Sequence, residues 1–391
     1  KTTIVQAVIG TLHELRDDAA VLLAAPTGRA AQRLTETTGV EAKTLHRLLE
    51  YTFNQGRGSF ARDEHSPLEG DILIVDESSM IDSYLAYSLL RAVPDGMRVV
   101  FVGDADQLPP VGPGDFLRQL IESGVVPVTR LTRIFRQEEA SDIIVHAHQI
   151  NRGQRPRFGA ASDVTFLRAE TGEKVTEQVV DLVSRLLQPE HAGHSGETIF
   201  DWQDREVDSG GSAEAAPYEL QVIAPMRRGP CGVQRLNRKL QEVLNPPREG
   251  EEELARGSTR FRAGDRVMCL RNNYQKGESG IFNGNIGSIE RVVPANDSEG
   301  QEAQLVIDFN GETVKYNRTE LEELGLAYAT TVHKAQGSEF PAVVLVVAMQ
   351  HYIMLHRNLL YTGYTRASEK LYVVGSPRAL HIAVKNARMR E

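Results

Sequence analysis

Two adjacent acidic residues follow a short apolar segment of the sequence. The stretch "ILIVDESSM" (72–80) sets Asp76 and Glu77 directly after four apolar residues, which are typical of a buried strand. Phosphoryl transfer needs one carboxylate that holds magnesium and a base that orients the attacking water. Because successive side chains of a strand point to opposite faces, neighbouring acids can divide these roles. We therefore predict that Asp76 holds Mg²⁺ and Glu77 orients water; the simpler alternative is a pair of solvated acids in a turn.

A second candidate for phosphate chemistry is the pair of residues that opens the sequence. Lys1 and Thr2 precede apolar residues at helical spacing. A Lys-Thr pair before a helix is the last part of the loop G-x-x-x-x-G-K-[ST], in which the lysine reaches the β- and γ-phosphates and the hydroxyl binds magnesium. Since the pair alone occurs widely, this interpretation depends on residues further along the chain.

A third candidate lies in the stretch "VVFVGDADQLPPVGPGDFL" (99–117). Gln107 follows an apolar strand, where a neutral side chain could sense a γ-phosphate and contact water. Pro109 and Pro110 would stiffen the loop, so that loss of the phosphate could move it as a unit. The alternative is a plain proline-rich connection.

Composition restricts the class of protein. The 391 residues include 41% hydrophobic and 25% charged side chains, as in ordinary globular proteins. The longest apolar run, at 342–349, is far too short to span a bilayer, so we expect no membrane association. Two cysteines without metal-ligand spacing favour a reducing compartment, and we expect the cytoplasm. A net charge of −9 argues against indiscriminate coating of polyanions but allows one basic groove.

Two α/β patterns position these residues. In each, strands that are apolar throughout alternate with helices, as expected for parallel sheets covered on both faces. The strands of the first pattern lie at 20–26, 71–77 and 98–104, and those of the second at 218–225, 342–348 and 370–375. In open sheets of this kind, ligands bind where the strands end.

The second pattern is interrupted. Residues 260–322 contain short alternating strands and Asn-Gly turns, which predict a small antiparallel barrel. Residues 188–217 lack periodicity and are rich in Gly, Ser and acids, which favours a mobile surface insertion. We predict an α/β protein whose first domain is 1–150 and whose second domain is 151–259 and 323–391, with the barrel inserted between the two parts.

Eight segments, in order along the chain, resemble the motifs of superfamily-one helicases. They are Lys1-Thr2, "APTGRAA" (25–31), "TLHRLL" (44–49), "VDESSMID" (75–82), "GDADQLPPVGPGDFL" (103–117), "LTRIFRQ" (131–137), "ATTVHKAQGSEF" (329–340) and "LLYTGYTRASEKLYVVG" (359–375). The pattern is most similar to the RecD-like branch, the 5′-to-3′ DNA helicases of bacteria. The resemblance implies two RecA-like P-loop domains that use ATP and Mg²⁺, with a small SH3-type barrel inserted in the second. The glycines of the family's phosphate loop are absent, so we interpret the chain as truncated within that loop.

The resemblance implies roles for residues around the nucleotide. Arg136 and Arg366 would approach the γ-phosphate from different domains, where a guanidinium stabilises transition-state charge. Gln336, Gly337 and Glu339 would line the nucleotide, with Glu339 accepting from a ribose hydroxyl. The alternatives are surface ion pairs for the arginines and a solvated acid for Glu339.

The resemblance also implies a set of residues that contact the backbone of single-stranded DNA. In the first domain they are Thr27, Gly28, Arg29, Thr44, His46 and Pro110, and in the second they are Thr331, His333 and Lys334. Small side chains after a strand leave backbone N–H groups at a helix start for phosphates. Such contacts read no base sequence. The alternative for each histidine is an internal hydrogen-bond partner.

Residues 51–67 are predicted to form a short β-hairpin inserted in the first domain. Tyr51, Phe53 and Phe60 flank "NQGRG", whose Asn and glycines suit a hairpin turn. The resembling family carries a hairpin pin here, and its aromatic residues could stack on the last base pair as the strand passes. The alternative is a surface loop.

The combined expectation is an ATP-dependent motor that moves 5′-to-3′ on single-stranded DNA and separates strands at ss/dsDNA junctions, acting as a monomer. Two alternatives remain open. One is an RNA-remodelling helicase of the same superfamily, and the other is a non-enzymatic single-strand-binding module if the glycine loop is truly absent. The sequence does not indicate whether accessory repair proteins or nuclease subunits bind.

Overall fold

The computed structural model of the protein describes residues 2–54, 57–131, 141–159, 162–187, 220–273, 276–277, 280–295, 302–309 and 311–387. Side chains are described for all of these residues except Thr2, Phe53, Asn54 and Arg57. The insertion predicted at 188–217 lies outside the described residues. The chain divides into two compact units, Lys1–Glu139 and Ala140–Glu391.

The first unit contains a parallel sheet. Its helices are α1 (Thr2–Leu15), α2 (Gly28–Thr38), α3 (Leu45–Leu48), α4 (Ser83–Ala92) and α5 (Phe116–Ser123). Its strands are β1 (Val21–Ala25), β2 (Ala42–Thr44), β3 (Tyr51–Asn54), β4 (Arg57–Phe60), β5 (Ile72–Val75) and β6 (Arg98–Phe101). The sheet has the order β2-β1-β5-β6, with every pair parallel. The strands predicted at 20–26, 71–77 and 98–104 are confirmed as β1, β5 and β6; β2 is too short for its pattern to be recognised in the sequence.

Helices cover both faces of this sheet. Alternate residues of β5 point to opposite faces and therefore pack against different helices. Leu73 packs with Leu89 of α4 on one face. Ile74 packs with Val5 of α1 and Leu34 of α2 on the other face. The uninterrupted apolar character of the strand follows from this double burial.

Strands β3 and β4 form the predicted hairpin. They pair antiparallel, with Tyr51 opposite Phe60 and Asn54 opposite Arg57. The rings of Tyr51 and Phe60 lie 5.1 Å apart, and Phe60 lies 6.1 Å from Tyr84 of α4. An isolated two-stranded hairpin is marginal in water. The contact with Tyr84 packs this hairpin on the first unit and so stabilises it.

The second unit contains a second parallel sheet. Its helices are α6 (Asp142–Asn151), α7 (Gly172–Leu187), α8 (Val233–Leu244), α9 (Arg357–Tyr364) and α10 (Pro377–Lys385). Its sheet strands are β7 (Val164–Arg168), β8 (Leu220–Ala224), β16 (Ala329–Thr331), β17 (Phe340–Val347) and β18 (Ala367–Gly375), in the order β16-β8-β17-β18-β7. The strands predicted at 218–225, 342–348 and 370–375 are confirmed as β8, β17 and β18. Among the described residues of both units, none of the helices has the length and apolar character needed to cross a membrane.

The division between the units lies earlier than the boundary predicted at 150. Helix α6 belongs to the second unit, since the ring of His146 lies 6.3 Å from that of Tyr364 in α9. Arg357 of α9 also donates from Nη1 to the carbonyl of Asn151 at 3.4 Å. These contacts join residues far apart in sequence, so a linear pattern does not reveal them.

The antiparallel barrel lies between α8 and β16 in the chain. Its strands are β9 (Leu254–Arg256), β10 (Thr259–Phe261), β11 (Arg266–Cys269), β12 (Ile286–Val293), β13 (Gln304–Phe309), β14 (Glu312–Asn317) and β15 (Leu324–Leu326). It extends beyond the predicted limits of 260–322, because Leu254 and Leu324 are buried in its core. Strands β9 and β10 pair with each other, and the other five form a sheet in the order β14-β13-β12-β11-β15. The first and last of these five along the chain are neighbours: β11 pairs with β15, with Met268 opposite Gly325.

His351 is a buried histidine of the second unit that no site prediction uses. It is 0% exposed, and its Nε2 lies 3.0 Å from Gln350 Nε2 and 3.8 Å from Cys231 Sγ. Burial lowers the pKa of His351 from 6.5 to about 4. The imidazole is therefore neutral in the folded protein at neutral pH.

We predict that acid weakens the second unit through this residue. Between pH 6.5 and about 4 the unfolded chain binds a proton at His351 that the folded chain excludes, so stability falls as the pH is lowered through this window and levels off below it. The loss is on the order of 3 kcal/mol. Urea unfolding at pH 7.5 and 4.5 measures it. His351→Gln should reduce the pH dependence, whereas the same change at the exposed His381 should not; equal dependence in both variants would contradict the prediction.

Candidate functional site

The acidic pair lies at the carboxyl end of β5. Asp76 is 6% exposed, and its backbone N–H donates to the carbonyl of Ala24 at 2.9 Å, which fixes it beside β1. Glu77 lies outside the strand, in a left-handed turn with φ 49° and ψ 38°. Its N–H donates to Asp76 Oδ1 at 2.7 Å. The two carboxylates therefore differ in position because of a turn, and not because of the strand alternation from which we predicted two roles.

The loop that carries Gln107 runs beside this turn. Val75 of β5 pairs with Phe101 of β6, so both strands end at the same edge of the sheet. Gln107 is 4% exposed, and its Nε2 donates to Asp104 Oδ2 at 3.1 Å. A Cβ at Gly103 would lie 3.1 Å from Ser79 N, so glycine lets the loop pass against the residues after Glu77. Asp76, Glu77 and the loop that carries Gln107 thus lie at the same edge of the sheet.

The residues at this edge fit a magnesium ion held largely by substrate and water. Mg²⁺ in phosphoryl-transfer sites binds through one or two carboxylates plus phosphates and water. Asp76 supplies one buried carboxylate. Within the described part of the chain, no group of three or more His, Cys, Asp and Glu side chains could hold a metal by itself. Lys1 and the side chain of Thr2, the other predicted ligands, lie outside the described residues.

Two of the residues predicted to contact DNA in the first unit are helix caps. Thr27 accepts from Ala30 N at 3.3 Å at the start of α2, and Thr44 accepts from Arg47 N at 3.1 Å at the start of α3. The sequence does not distinguish a capping hydroxyl from a ligand hydroxyl. Ala25 pairs with Thr44 across β1 and β2, so both helix starts lie at the same edge of the sheet.

The charged candidates of this unit are partly buried. Burial, and then the neighbouring Arg33, lower the pKa of Arg29 to about 10, so Arg29 stays charged at neutral pH. The ring of His46 lies 5.3 Å from Tyr51 and 5.7 Å from Phe60 of the hairpin, and burial lowers its pKa. Gly28 begins α2, and Pro110 lies half-buried in the loop after β6.

The DNA candidates of the second unit follow β16. Thr331 pairs with Ala224 of β8, and its Oγ1 accepts from Lys334 N at 3.3 Å. Lys334 Nζ donates to Asn283 Oδ1 of the barrel at 3.4 Å. Burial lowers the pKa of His333, which therefore stays neutral at neutral pH.

The sequence interpretation missed a cation beside these residues. Burial and then the positive charge of Arg227 lower the pKa of Lys334. Arg227 is exposed, in the loop after β8. The Arg-Arg-Gly sequence that follows the strand at 218–225 is the signal that could have found it.

Arg366 lies against the loop that carries the nucleotide candidates of the second unit. It is 5% exposed and donates from Nη1 to the carbonyls of Ser338 at 2.8 Å and Ala335 at 3.4 Å. Gln336 and Gly337 lie between these two carbonyls in sequence, and the φ of 72° at Gly337 requires glycine. Arg366, Gln336 and Gly337 are thus brought together, with Glu339 half-buried after them. Arg136 lies outside the described residues.

We predict that the backbone at Glu77 is strained. Glu50, with φ 53°, is the other non-glycine residue with positive φ among the described residues. At both positions the glycine variant should be more stable than the alanine variant by about 1 kcal/mol, because only glycine adopts this backbone without steric cost. Thermal unfolding of Glu77→Gly, Glu77→Ala and the same pair at Glu50 measures the difference. Equal stability of the two Glu77 variants would show that the turn carries no strain.

Three segments of the chain match described protein families. Residues 1–113 match the AAA domain, and residues 326–374 match the UvrD-like helicase C-terminal domain. Residues 236–309 match the SH3 domain of ATP-dependent RecD-like DNA helicases. The SH3 match includes most of the barrel. The AAA match includes the edge of the first sheet that carries Asp76 and Glu77.

Two curated relatives align with the whole chain. The ATP-dependent RecD2 DNA helicase of Deinococcus radiodurans is 38% identical over 392 residues, which cover 100% of this chain and 47% of the relative. The RecBCD enzyme subunit RecD of Mycolicibacterium smegmatis is 30% identical over 414 residues, which cover 100% of this chain and 69% of the relative. The chain therefore spans about half the length of the Deinococcus protein.

A solved structure gives the same architecture. The Pif1 helicase from Bacteroides, in complex with ADP-AlF3 and ssDNA, has a TM-score of 0.52 at 21% identity, over 95% of this chain and 85% of that chain. At this identity the likeness shows the fold alone. The predicted α/β fold, with two RecA-like domains and an SH3-like insertion, is confirmed. The chain belongs to the RecD-like branch of the superfamily-one helicases.

Proposed function

We propose that this chain is the ATP-driven motor of a DNA helicase that moves 5′-to-3′ on single-stranded DNA and opens duplexes at junctions. The observation that supports the proposal is the position of Asp76, Glu77 and the loop of Gln107 directly after the carboxyl ends of two paired strands. The Deinococcus relative is named a DNA helicase, and the Pif1 structure holds ssDNA, which supports DNA as the strand. The polarity rests on the resemblance to the RecD-like branch.

Residues of the first unit would act on the γ-phosphate. Asp76 and the hydroxyl of Thr2 would hold Mg²⁺, which when bound neutralises charge on the phosphates, and Lys1 would contact the same phosphates. Glu77 would orient the attacking water and accept its proton. Gln107, already held by Asp104, would report loss of the phosphate to its loop.

Residues of the second unit would complete the nucleotide site. Gln336, Gly337 and Glu339 would line the nucleotide. For Arg366 to reach the γ-phosphate, its guanidinium must exchange the carbonyls of Ala335 and Ser338 for phosphate oxygens. We assign Arg136 the matching role in the first unit from its motif.

The nucleic-acid strand would lie along the residues that follow β1, β2 and β16. Its backbone would be contacted by Thr27, Gly28, Arg29, Thr44, His46, Pro110, Thr331, His333 and Lys334. Because burial lowers the pKa of both His46 and His333, these imidazoles would hydrogen-bond the strand as neutral groups. The hairpin at 51–60 would stand at the junction as a wedge.

We predict that Glu77→Gln removes turnover and leaves binding. In a chain that carries the complete phosphate-binding loop, ATP and single-strand affinity should stay within twofold, while ATP hydrolysis should fall by roughly 10²-fold or more, because the water loses its base. Steady-state ATPase and fluorescence binding assays measure the two effects. Glu69→Gln, on an exposed acid of the same unit, is the control. Near-normal turnover of Glu77→Gln would remove this residue from the mechanism.

We predict different salt responses for two neighbouring residues. Lys334→Ala should weaken single-strand binding and reduce the slope of log affinity against log salt by about 0.7, since one phosphate contact no longer releases a counterion. His333→Ala should weaken binding at an unchanged slope, because the imidazole is neutral. Titrations with oligonucleotides of several base compositions should give equal losses. A strong base preference, or binding without salt dependence, would point to another surface.

A further inference from the structure

The barrel and the second parallel sheet have separate apolar cores. The barrel core includes Phe261, Leu305 and Tyr316, whereas the sheet core includes Val222 and Val344. The chain passes from one body to the other twice, after α8 and before β16. Hydrogen bonds from α8 to the barrel and to the passage before β16 hold the barrel on the sheet domain.

Two amide side chains of α8, and a third on the residue that ends the helix, bond to the barrel and to the passage that leaves it. Asn237, Gln241 and Asn245 follow at a spacing of four residues, which places them on one side of the helix, and each is at most 7% exposed. Asn237 Nδ2 donates to the carbonyls of Leu326 and Ala329, both at 3.0 Å, and its Oδ1 accepts from Ala329 N at 2.7 Å. Asn237 therefore holds the passage that leaves the barrel.

The other two amides hold the turn between β10 and β11 of the barrel, and they do so through Asp265. This residue is 0% exposed and lies just before β11. Gln241 Nε2 donates to Asp265 Oδ2 at 2.6 Å, and Asn245 Nδ2 donates to Oδ1 at 2.8 Å. Tyr328, on the leaving passage, donates its hydroxyl to Oδ1 at 2.9 Å, and the Arg262 N–H donates to Oδ2 at 2.9 Å. Asp265 thus joins α8, the β10–β11 turn and the passage that leaves the barrel.

The four donors to Asp265 are neutral, so the carboxylate is held by geometry and not by a counter-charge. Burial raises the pKa of Asp265, because removal of the carboxylate from water disfavours its charged form. A buried acceptor that loses a donor costs about 1–3 kcal/mol, and such bonds are directional. The arrangement therefore favours a single orientation of the barrel on the sheet domain.

This orientation matters beyond the joint. Tyr328 is three residues before Thr331, at the start of the segment that we propose contacts the strand. On the other side, Lys334 Nζ donates to Asn283 Oδ1 of the barrel. The barrel is thus connected to this segment both at the joint and at the proposed nucleic-acid contact.

We propose that Asp265 is a positioning residue that fixes the barrel and the second RecA-like domain as one rigid body, so that strand separation, but not ATP hydrolysis, depends on it. The functional part rests on the helicase activity proposed above. A rigid barrel keeps Asn283 beside Lys334 while the domain moves. If the barrel is loose, the ATP-binding residues stay in place, but Asn283 of the barrel is no longer held beside Lys334 at the proposed strand contact.

The test is Asp265→Asn in a chain with the complete phosphate-binding loop. The amide of this variant has the same shape as the carboxylate. Its NH₂ group is a donor, however, and it lies opposite groups that donate hydrogen bonds to the carboxylate. Unwinding of a forked duplex should fall about tenfold while single-strand-stimulated ATP hydrolysis stays within twofold, as expected for loss of one or two buried bonds. Tyr328→Phe removes one donor and keeps the ring, so it should give a smaller loss, and it serves if Asp265→Asn does not fold.

Thr176→Val is the matched control. It removes a buried bond of the same domain, from Thr176 Oγ1 to the Pro230 carbonyl at 2.6 Å, between α7 and the loop before α8. It should lower thermal stability without changing the number of base pairs opened per ATP. If Asp265→Asn unwinds at the parental rate, or loses ATPase and unwinding in equal proportion, the positioning role is wrong.

Hydrogen exchange separates this inference from the proposed function. The amides of Ala327 and Ala329 bond across the joint, to the Arg266 carbonyl and to Asn237 Oδ1. They should exchange at least tenfold faster in Asp265→Asn and at the parental rate in Thr176→Val. Unchanged exchange at these amides would overturn the rigid joint. A parental protein that does not unwind DNA would instead count against the helicase function.

Discussion

Parallel pairing of buried strands brings together the candidate residues that follow β1, β2, β5, β6 and β16. In the first unit the pairs Ala25–Thr44 and Val75–Phe101 bring the four chain segments that follow these strands to one edge of the sheet. In the second unit the pair Ala224–Thr331 does the same for the loops after β8 and β16. Because both faces of such sheets are covered by helices, the strand ends are where polar side chains can gather. The chemistry of the molecule depends on this register.

Most of the sheet framework could be predicted from the sequence, because fully buried strands have an unmistakable composition. β5 and β17 are continuous apolar runs and were easily located. β7, at the edge of its sheet, mixes polar and apolar residues, and its pairing with β18 joins segments some 200 residues apart. The limits of the barrel were missed for a related reason: Leu254 and Leu324 belong to it by packing, which a linear pattern does not contain.

The candidate site was predictable in residue type and not in geometry. Motif order located Asp76 and Glu77, but the left-handed backbone of Glu77, just before the 3-10 segment Ser78–Met80, is a property that no acidic residue signals. Motifs also do not reveal that Thr44 caps a helix, or that Arg366 is bonded to carbonyls of its own domain. No sequence motif signals the roles of Gln241 and Asn245, because their partner Asp265 lies more than fifteen residues further along the chain. Local chemistry is visible in sequence, whereas long-range hydrogen bonding is not.

The pairing of β11 with β15 has a consequence for how this fold can vary. Along the chain, the five-stranded sheet of the barrel begins with β11 and ends with β15, and these two strands are hydrogen-bonded neighbours, with Val267 opposite Leu326. An insertion whose ends are adjacent adds residues without separating the host segments on either side. The barrel also has a core of its own, so its strands and turns can change in length and sequence without repacking the host. Relatives can therefore be expected to differ more in the barrel than in the sheet that carries it, except at the few buried polar residues where the two meet.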